Sequence, residues 1–297
     1  MRYYVVIAIV AYLAFSVNSV IDKFLLKKTI PKPAVYAFYI GILSGIALLL
    51  FPFGLTVPSW KILGLALVSG AAFILALLAF FEGLKREDAS RVLPSIGAMV
   101  PAFTFVLSAV IVGERLLPRE IWGLAVLTAG TLLISGWNPL ERKKKVPWFR
   151  FAALAALLFA LSFTFAKAVY LDQSFISGLI WTRVGMVLAA LSFLLFPSFR
   201  RDISQTTQNI NGGSKVLFLS GQLLAAGGGL LQNYAVSMGS VTLVNALQST
   251  QFAFLFLLTL ILSLYFPKIL LEDISKRTLV KKAASLVVIS VGLFLIA

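Results

Sequence analysis

The stretch WKILGLALVSGAAFILALLAFFEGL, residues 60–84, decides the fold class of this chain. Within it, only Lys61 and Glu82 carry a charge. As an α-helix rising about 1.5 Å per residue, this stretch is longer than the hydrocarbon core of a bilayer, which is roughly 30 Å thick. Apolar stretches of similar length recur from one end of the chain to the other, which predicts a polytopic membrane protein.

About ten such stretches are separated by charged residues, proline or glycine, and we predict a transmembrane helix in each. The predicted fold class is therefore an all-α integral membrane protein, multi-pass in the plasma (cytoplasmic) membrane. The predicted spans are residues 3–26, 34–54, 60–84, 92–112, 118–136, 149–171, 175–196, 214–236, 240–263 and 279–297.

The composition of the whole chain agrees with this fold class. Of its 297 residues, 60% are hydrophobic and 12% are charged, which is too few charged groups for the outside of a soluble domain. The formal net charge of +15 would suggest a nucleic-acid partner in a soluble protein. Here the lysines and arginines cluster in short connections between apolar stretches, so we expect the lipid bilayer and no nucleic acid as partner.

The chain contains neither cysteine nor histidine. This excludes thiol catalysis, disulfides, thiolate or imidazole metal sites and imidazole proton relays. The glycine clusters lack the lysine and hydroxyl residues of a phosphate-binding loop, and no buried pair of acidic residues is evident. We therefore expect no cofactor, no metal and no enzymatic activity.

The basic connection at residues 138–148 leaves about five predicted spans on each side. An offset of about 144 residues aligns Phe15 with Phe159 and Gly41 with Gly185, which indicates an internal duplication. We predict one five-helix repeat at residues 1–137 and a second at residues 149–297. Because five is an odd number, the two repeats have opposite orientations in the membrane, as in many secondary transporters.

Short motifs in the first half of the chain give a more specific indication. They are Phe15-Ser16-Val17-Asn18-Ser19 with Lys23, Glu82-Gly83-Leu84-Lys85, Asp88-Ala89-Ser90-Arg91-Val92 with Pro94 and Pro101, and Gly113-Glu114-Arg115-Leu116 with Gly123 and Gly130.

These motifs resemble those of the drug/metabolite transporter superfamily, in particular the EamA-like permeases, which have ten helices in two repeats. The resemblance implies a permease for small organic metabolites, among which we expect amino acids and related zwitterions or carboxylates. Inverted repeats favour alternating access through a cavity between them. A channel lined by polar residues, and less so a membrane-embedded enzyme, remain alternatives, and the coupling ion and direction of transport stay open.

Polar side chains within the spans are candidate substrate contacts, because each one is costly in lipid unless it is paired or faces water. Arg183 is the deepest cation, and its guanidinium matches a carboxylate in a bidentate way. The alternatives are a structural ion pair with Asp172 or Glu82, or snorkelling of the side chain to the interface from less than two turns away. The predicted substrate-binding residues are Asn18, Arg183, Gln232, Asn233, Asn245, Gln248 and Gln251.

The amides of the ninth span, Asn245, Gln248 and Gln251, fall within an arc of roughly 120° on one helical face. We expect this face to converge with Arg183 on one cavity. A network of hydrogen bonds that only fixes helix packing is the alternative, as it is for Asn18. Glu114 precedes the fifth span, where we predict a structural role at the helix N-terminus.

The distribution of positive charge bears on orientation. Connections after the odd-numbered spans carry about 19 lysines and arginines, whereas the other side carries about four. The charge rule places the basic connections in the cytoplasm and both termini outside. The family resemblance implies the opposite orientation, and we favour the charge rule because the run Arg142-Lys143-Lys144-Lys145 is hard to translocate.

Overall fold

The computed structural model describes residues 2–28, 32–87, 89–134, 148–209, 212–265 and 276–297. In these ranges every regular element is a helix, which confirms the all-α prediction. The first half contains α1 (Tyr3–Lys28), α2 (Pro33–Ser44) with a 3-10 extension (Gly45–Phe53), α3 (Trp60–Arg86), α4 (Ala89–Ile111) and α5 (Pro118–Ile134).

In the structure the second half begins at Trp148. Of the predicted basic connection 138–148, residues 138–147 lie outside the described residues. Its helices are α6 (Trp148–Asp172), α7 (Phe175–Ser192) with a 3-10 extension (Phe193–Leu195), α8 (Pro197–Asn209), α9 (Gly212–Met238), α10 (Val241–Ala246), α11 (Gln248–Tyr265) and α12 (Lys276–Ile296).

Each of the ten predicted spans contains helix. Among the described residues, eight helical segments are long and apolar enough to cross a membrane. The other two predicted spans correspond to α5, which has 17 residues, and to α9, which has 27. Large apolar side chains such as Val110, Leu195 and Phe294 are exposed on the outside of the bundle, as expected for a surface that contacts lipid.

The spans alternate in direction, so the bundle has two ends. One end contains Arg2, the C-terminus and the connections 54–59, 112–117, 173–174 and 239–240, and we call it the terminal side. The opposite end contains the end of α1, the end of α3, helix α8 and the start of α12. We call this end the basic side, because most of the lysines and arginines in the described ranges lie there.

Two features of the second half were not predicted from the sequence. Helix α8 forms within a polar connection, because Phe199 and Ile203 lie four residues apart and pack against the bundle. The ninth span is divided at Leu247 into α10 and α11. The Ser249 hydroxyl donates to the Ala246 carbonyl at 2.9 Å, and such side-chain bonds compete with the helical backbone pattern.

The two halves pack together along several helices. Helix α1 lies along α9 and α11, α6 lies along α3 and α4, α2 contacts α7, and α5 lies along α12. Helix α3 of the first half also packs closely on α7 of the second half. The middle of the bundle is therefore a junction between the halves.

Glycine allows the backbones of α3 and α7 to touch. A Cβ atom on Gly70 would lie 2.2 Å from the carbonyl oxygen of Thr182, and one on Gly185 would lie 2.5 Å from that of Leu67. Small residues of this kind let membrane helices approach closely. This crossing holds α7 against α3 within two residues of Arg183.

Candidate functional site

A narrow cleft lies at the junction of α3, α6, α7 and α9. Its free volume is about 20 Å³, which is close to the space of a single water molecule. Helix α3 belongs to the first half of the chain and the other three belong to the second. The cleft is lined by Ser69, Gly70, Phe73, Ser162, Phe163, Ala166, Thr182, Arg183, Met186 and Asn233.

Arg183 brings a positive charge into this cleft. It lies eight residues after the start of α7, which is roughly 12 Å along the helix, and its side chain is half-buried. Among the described residues, its guanidinium has one hydrogen-bond acceptor, the Sδ atom of Met186 at 2.8 Å. A thioether is a weak acceptor, so most of the five N–H donors of the guanidinium remain available.

Neither carboxylate proposed as a structural partner contacts Arg183. Glu82 accepts a hydrogen bond from Arg86 at 2.9 Å, and Asp172 accepts one from Gln173 Nε2, also at 2.9 Å. The ion pairs found among the described residues are Arg2–Glu120, Lys32–Asp202 and Arg86–Glu82. In the described ranges, Arg183 is therefore a cation within a span without a carboxylate partner.

Asn233 of α9 lies on the same cleft as Arg183 and is held in place by its neighbours. The Tyr170 hydroxyl donates to Asn233 Oδ1 at 3.0 Å, and Asn233 Nδ2 donates to the Gly229 carbonyl at 2.7 Å. Gly229 leaves space beside the cation, since a Cβ atom there would lie 4.0 Å from Nη2 of Arg183. The structure thus brings together two of the seven predicted site residues.

Three hydroxyl residues of the cleft, Ser69, Ser162 and Thr182, were not predicted from the sequence. Ser69 of α3 donates to the Ser162 carbonyl of α6 at 2.8 Å, and this bond joins the two halves. Thr182 donates to the Leu179 carbonyl of its own helix at 2.8 Å. Buried serines and threonines often bond backbone carbonyls, so the sequence does not single out these three from others in the spans.

The amides Gln232 and Asn245 bond other helices and are not among the residues that line the cleft. Gln232 Nε2 donates to the Tyr12 hydroxyl at 3.2 Å, and Tyr12 in turn donates to the Val244 carbonyl at 2.9 Å. Asn245 Nδ2 donates to Thr104 Oγ1 of α4 at 3.1 Å. These bonds join helices from the two halves.

The remaining three predicted residues also lie outside the cleft. Gln251 Nε2 donates to Ser19 Oγ of α1 at 3.2 Å. Asn18 is buried where α1 meets α9, so close that a Cβ atom on Gly221 would lie 2.8 Å from its Oδ1. Gln248 is half-buried directly after the break at Leu247. The expected convergence of the ninth-span amides with Arg183 is therefore not present in this conformation.

Two other charged residues stabilise helix ends on the terminal side. Lys167 Nζ donates to the carbonyls of Val236 at 3.0 Å and Gly239 at 2.8 Å. These carbonyls lie at the C-terminal end of α9, where a positive charge stabilises the helix. Glu114 accepts a hydrogen bond from Thr242 Oγ1 at 2.6 Å, at the start of α10.

The position that we predicted for Glu114, at the start of α5, is taken by another acid. Glu120 accepts a hydrogen bond there from the backbone N–H of Leu117 at 2.8 Å. This is the arrangement of a carboxylate in the first turn that satisfies a free N–H group. Glu114 keeps a structural position, but at a different helix.

Comparisons with known proteins agree with the predicted fold. Residues 2–136 match the EamA-like transporter family. A solved crystal structure superimposes on 99% of this chain and on 96% of its own chain, with a TM-score of 0.68 and 19% sequence identity. At that identity the likeness concerns the fold alone. No curated protein matches the chain.

The family match includes all five helices of the first half and the motifs that carried the resemblance, from Phe15 to Gly130. Members of this family are membrane transporters of small molecules, which agrees with apolar helices and an internal polar cleft. The match covers just under half of the chain and confirms the resemblance to the drug/metabolite transporter superfamily that the motifs indicated.

Proposed function

We propose that this protein is a secondary permease that moves small organic metabolites, specifically amino acids or related zwitterions and carboxylates. Substrate binds in the cleft at Arg183, and alternating access exposes this cleft to each side of the membrane in turn. The observation that carries the proposal is a membrane-embedded guanidinium without a carboxylate partner among the described residues.

The chemistry of the cleft favours an anionic group next to an apolar one. A substrate carboxylate could accept two parallel N–H bonds from Arg183, which would offset the cost of a charge within the bilayer. Asn233, Ser162 and Thr182 supply polar atoms around it, and the rings of Phe73 and Phe163 border the same space. A bare cation would be repelled by Arg183.

Helix packing supports two inverted repeats at residues 1–137 and 149–297. When the five spans of the first half are matched in order to those of the second, α1 corresponds to α6, α3 to α9, and α4 to α10 and α11. The contacts of α1 with α9 and α11 then correspond to those of α6 with α3 and α4. The pairs α2–α7 and α5–α12 correspond to themselves, as a two-fold relationship requires.

The small volume of the cleft favours a carrier over an open channel. Space for about one water molecule does not admit an amino acid, so the helices around the cleft must separate before substrate enters.

Polar contacts between the halves hold the terminal side together. Trp181 Nε1 donates to the Thr56 carbonyl at 2.8 Å, and the Ser108 and Thr242 hydroxyls are 2.9 Å apart.

The remaining predicted residues contact substrate in another state of the transport cycle; they are Asn18, Gln232, Asn245, Gln248 and Gln251. Where bonds such as Asn245–Thr104 and Gln251–Ser19 join the halves, opening of the cleft would separate the partners and expose their polar atoms to the substrate path. These residues would then contact substrate as it enters or leaves.

Uptake into liposomes that contain the purified protein tests this proposal. We expect saturable uptake of at least one amino acid or small carboxylate, measured with radiolabelled compounds and compared with protein-free liposomes. Sugars and organic cations serve as the comparison classes, each with and without a proton gradient. Transport of organic cations without any transport of carboxylates or zwitterions would contradict the assignment of substrate class.

A further inference from the structure

Helix α8 lies at the end of α7 on the basic side and has two chemically different faces. Its apolar face packs on the bundle: the rings of Phe193 and Phe199 are 5.4 Å apart, and Ile203 is buried. At 13 residues, α8 is too short and too polar to span a bilayer. Its sequence and position are those of a helix at the membrane interface.

An ion pair fixes the rotation of α8. Asp202 is the acidic residue of this helix. It accepts a hydrogen bond at 2.6 Å from Nζ of Lys32, the residue directly before α2. The carboxylate is therefore already paired with a cation from the start of the second span. Asp202 follows Arg201 directly, but among the described residues it pairs with Lys32, and neither Arg200 nor Arg201 forms an ion pair there.

The outer face of α8 forms a shallow depression of about 340 Å³. Both arginines are exposed there. Two guanidinium groups in adjacent positions suit a phosphate, whose oxygens accept bidentate hydrogen bonds. The depression is lined by Pro197, Arg200, Arg201, Ser204 and Gln205.

Apolar side chains stand next to these arginines. Leu195 is 80% exposed and Phe196 is 56% exposed, and both lie at the junction of α7 with α8. Leu195 belongs to the surface that contacts lipid, so the arginines next to it lie at the level of the lipid headgroups. The combination of exposed apolar groups and neighbouring cations fits a molecule that carries both a phosphate and acyl chains.

We propose that the outer face of α8 binds the headgroup of an anionic phospholipid, with the phosphate at Arg200 and Arg201 and the acyl chains along Leu195 and Phe196. This site is separate from the Arg183 cleft. It would anchor α8, and through Lys32 the start of α2, to the leaflet on the basic side.

Lipid titration of the full-length protein in detergent, followed by native mass spectrometry, tests this site. Phosphatidylglycerol should bind more tightly than phosphatidylcholine, and the double variant R200A/R201A should weaken the tightest phosphatidylglycerol site about tenfold or more. The charge-conserving variant R200K/R201K should bind more tightly than R200A/R201A but more weakly than the unmodified protein, because lysine keeps the charge and loses the planar fork. A matched control, K61A/R115A, removes two exposed charges from the terminal side and should change that affinity less than twofold.

Melting temperature and elution volume of each variant establish that it is folded before its lipid affinity is compared. Equal phosphatidylglycerol affinity for R200A/R201A and the unmodified protein would overturn the proposal, as would an equal loss in K61A/R115A. Glycerol phosphate at millimolar concentration should not displace the lipid. Displacement that depends on Arg200 and Arg201 would assign the site to soluble phosphates instead and would also overturn the proposal.

Discussion

Replacement of Arg183 by lysine should lower transport of a carboxylate-bearing substrate about tenfold or more at concentrations well below saturation. Lysine keeps the positive charge but loses the planar fork that donates two parallel hydrogen bonds. Charged hydrogen bonds are worth roughly 1.5–3 kcal/mol each, and about 1.4 kcal/mol corresponds to tenfold in affinity. Initial uptake rates into liposomes at equal protein density measure the effect.

The matched control for this substitution is Arg119→Lys, which changes an exposed arginine at the start of α5, outside the cleft. It should transport at the normal rate. Because Arg183 pairs with no carboxylate among the described residues, Arg183→Lys should also leave the melting temperature nearly unchanged. Normal transport by Arg183→Lys would remove this residue from the substrate site.

Gly185→Ala should destabilise the protein strongly, although it adds a single methyl group. The new Cβ atom would lie 2.5 Å from the Leu67 carbonyl oxygen and 2.7 Å from Leu67 Cα, which are backbone atoms of α3. Backbone atoms cannot rotate away, so α7 must move, and overpacking of this kind costs about 1–3 kcal/mol or more. The melting temperature in detergent should fall on the order of 5 °C.

The control for this prediction is Gly64→Ala in α3, where an added Cβ atom meets nothing within 4 Å. Alanine favours helix over glycine, so this variant should melt at the same temperature as the unmodified protein or slightly above it. If Gly185→Ala has the same melting temperature as Gly64→Ala, α3 and α7 are not in backbone contact. The position assigned to Arg183 beside that crossing would then be wrong as well.

Sequence reasoning located the membrane helices well because length and apolarity are properties of one segment at a time. The stretch at residues 60–84 corresponds to α3, Trp60–Arg86, without any knowledge of its neighbours. Helix α8 was missed because only Phe199 and Ile203 mark its buried face. The contact between Gly70 and Gly185 could not be predicted, since it depends on which helix crosses which.

The candidate site was predictable only in part for the same reason. The cost of a charge or an amide in lipid was the reason to predict Arg183 and Asn233, and both line the cleft. A helical face, however, gives a direction around its own axis and not the identity of the helix that it meets. Asn245 therefore bonds Thr104 of α4, and Gln251 bonds Ser19 of α1, although both share a face that we expected to meet Arg183.

Counterflow through the purified protein distinguishes a carrier with a closing cleft from a channel most directly. Liposomes are loaded with unlabelled substrate, chosen as the best compound of the uptake screen, and diluted into a trace of the labelled compound. An alternating-access carrier should accumulate label transiently above its outside concentration, because each outward step with unlabelled substrate returns the site for labelled substrate. Label that only equilibrates, with flux that rises linearly far above millimolar concentration, would contradict the carrier mechanism.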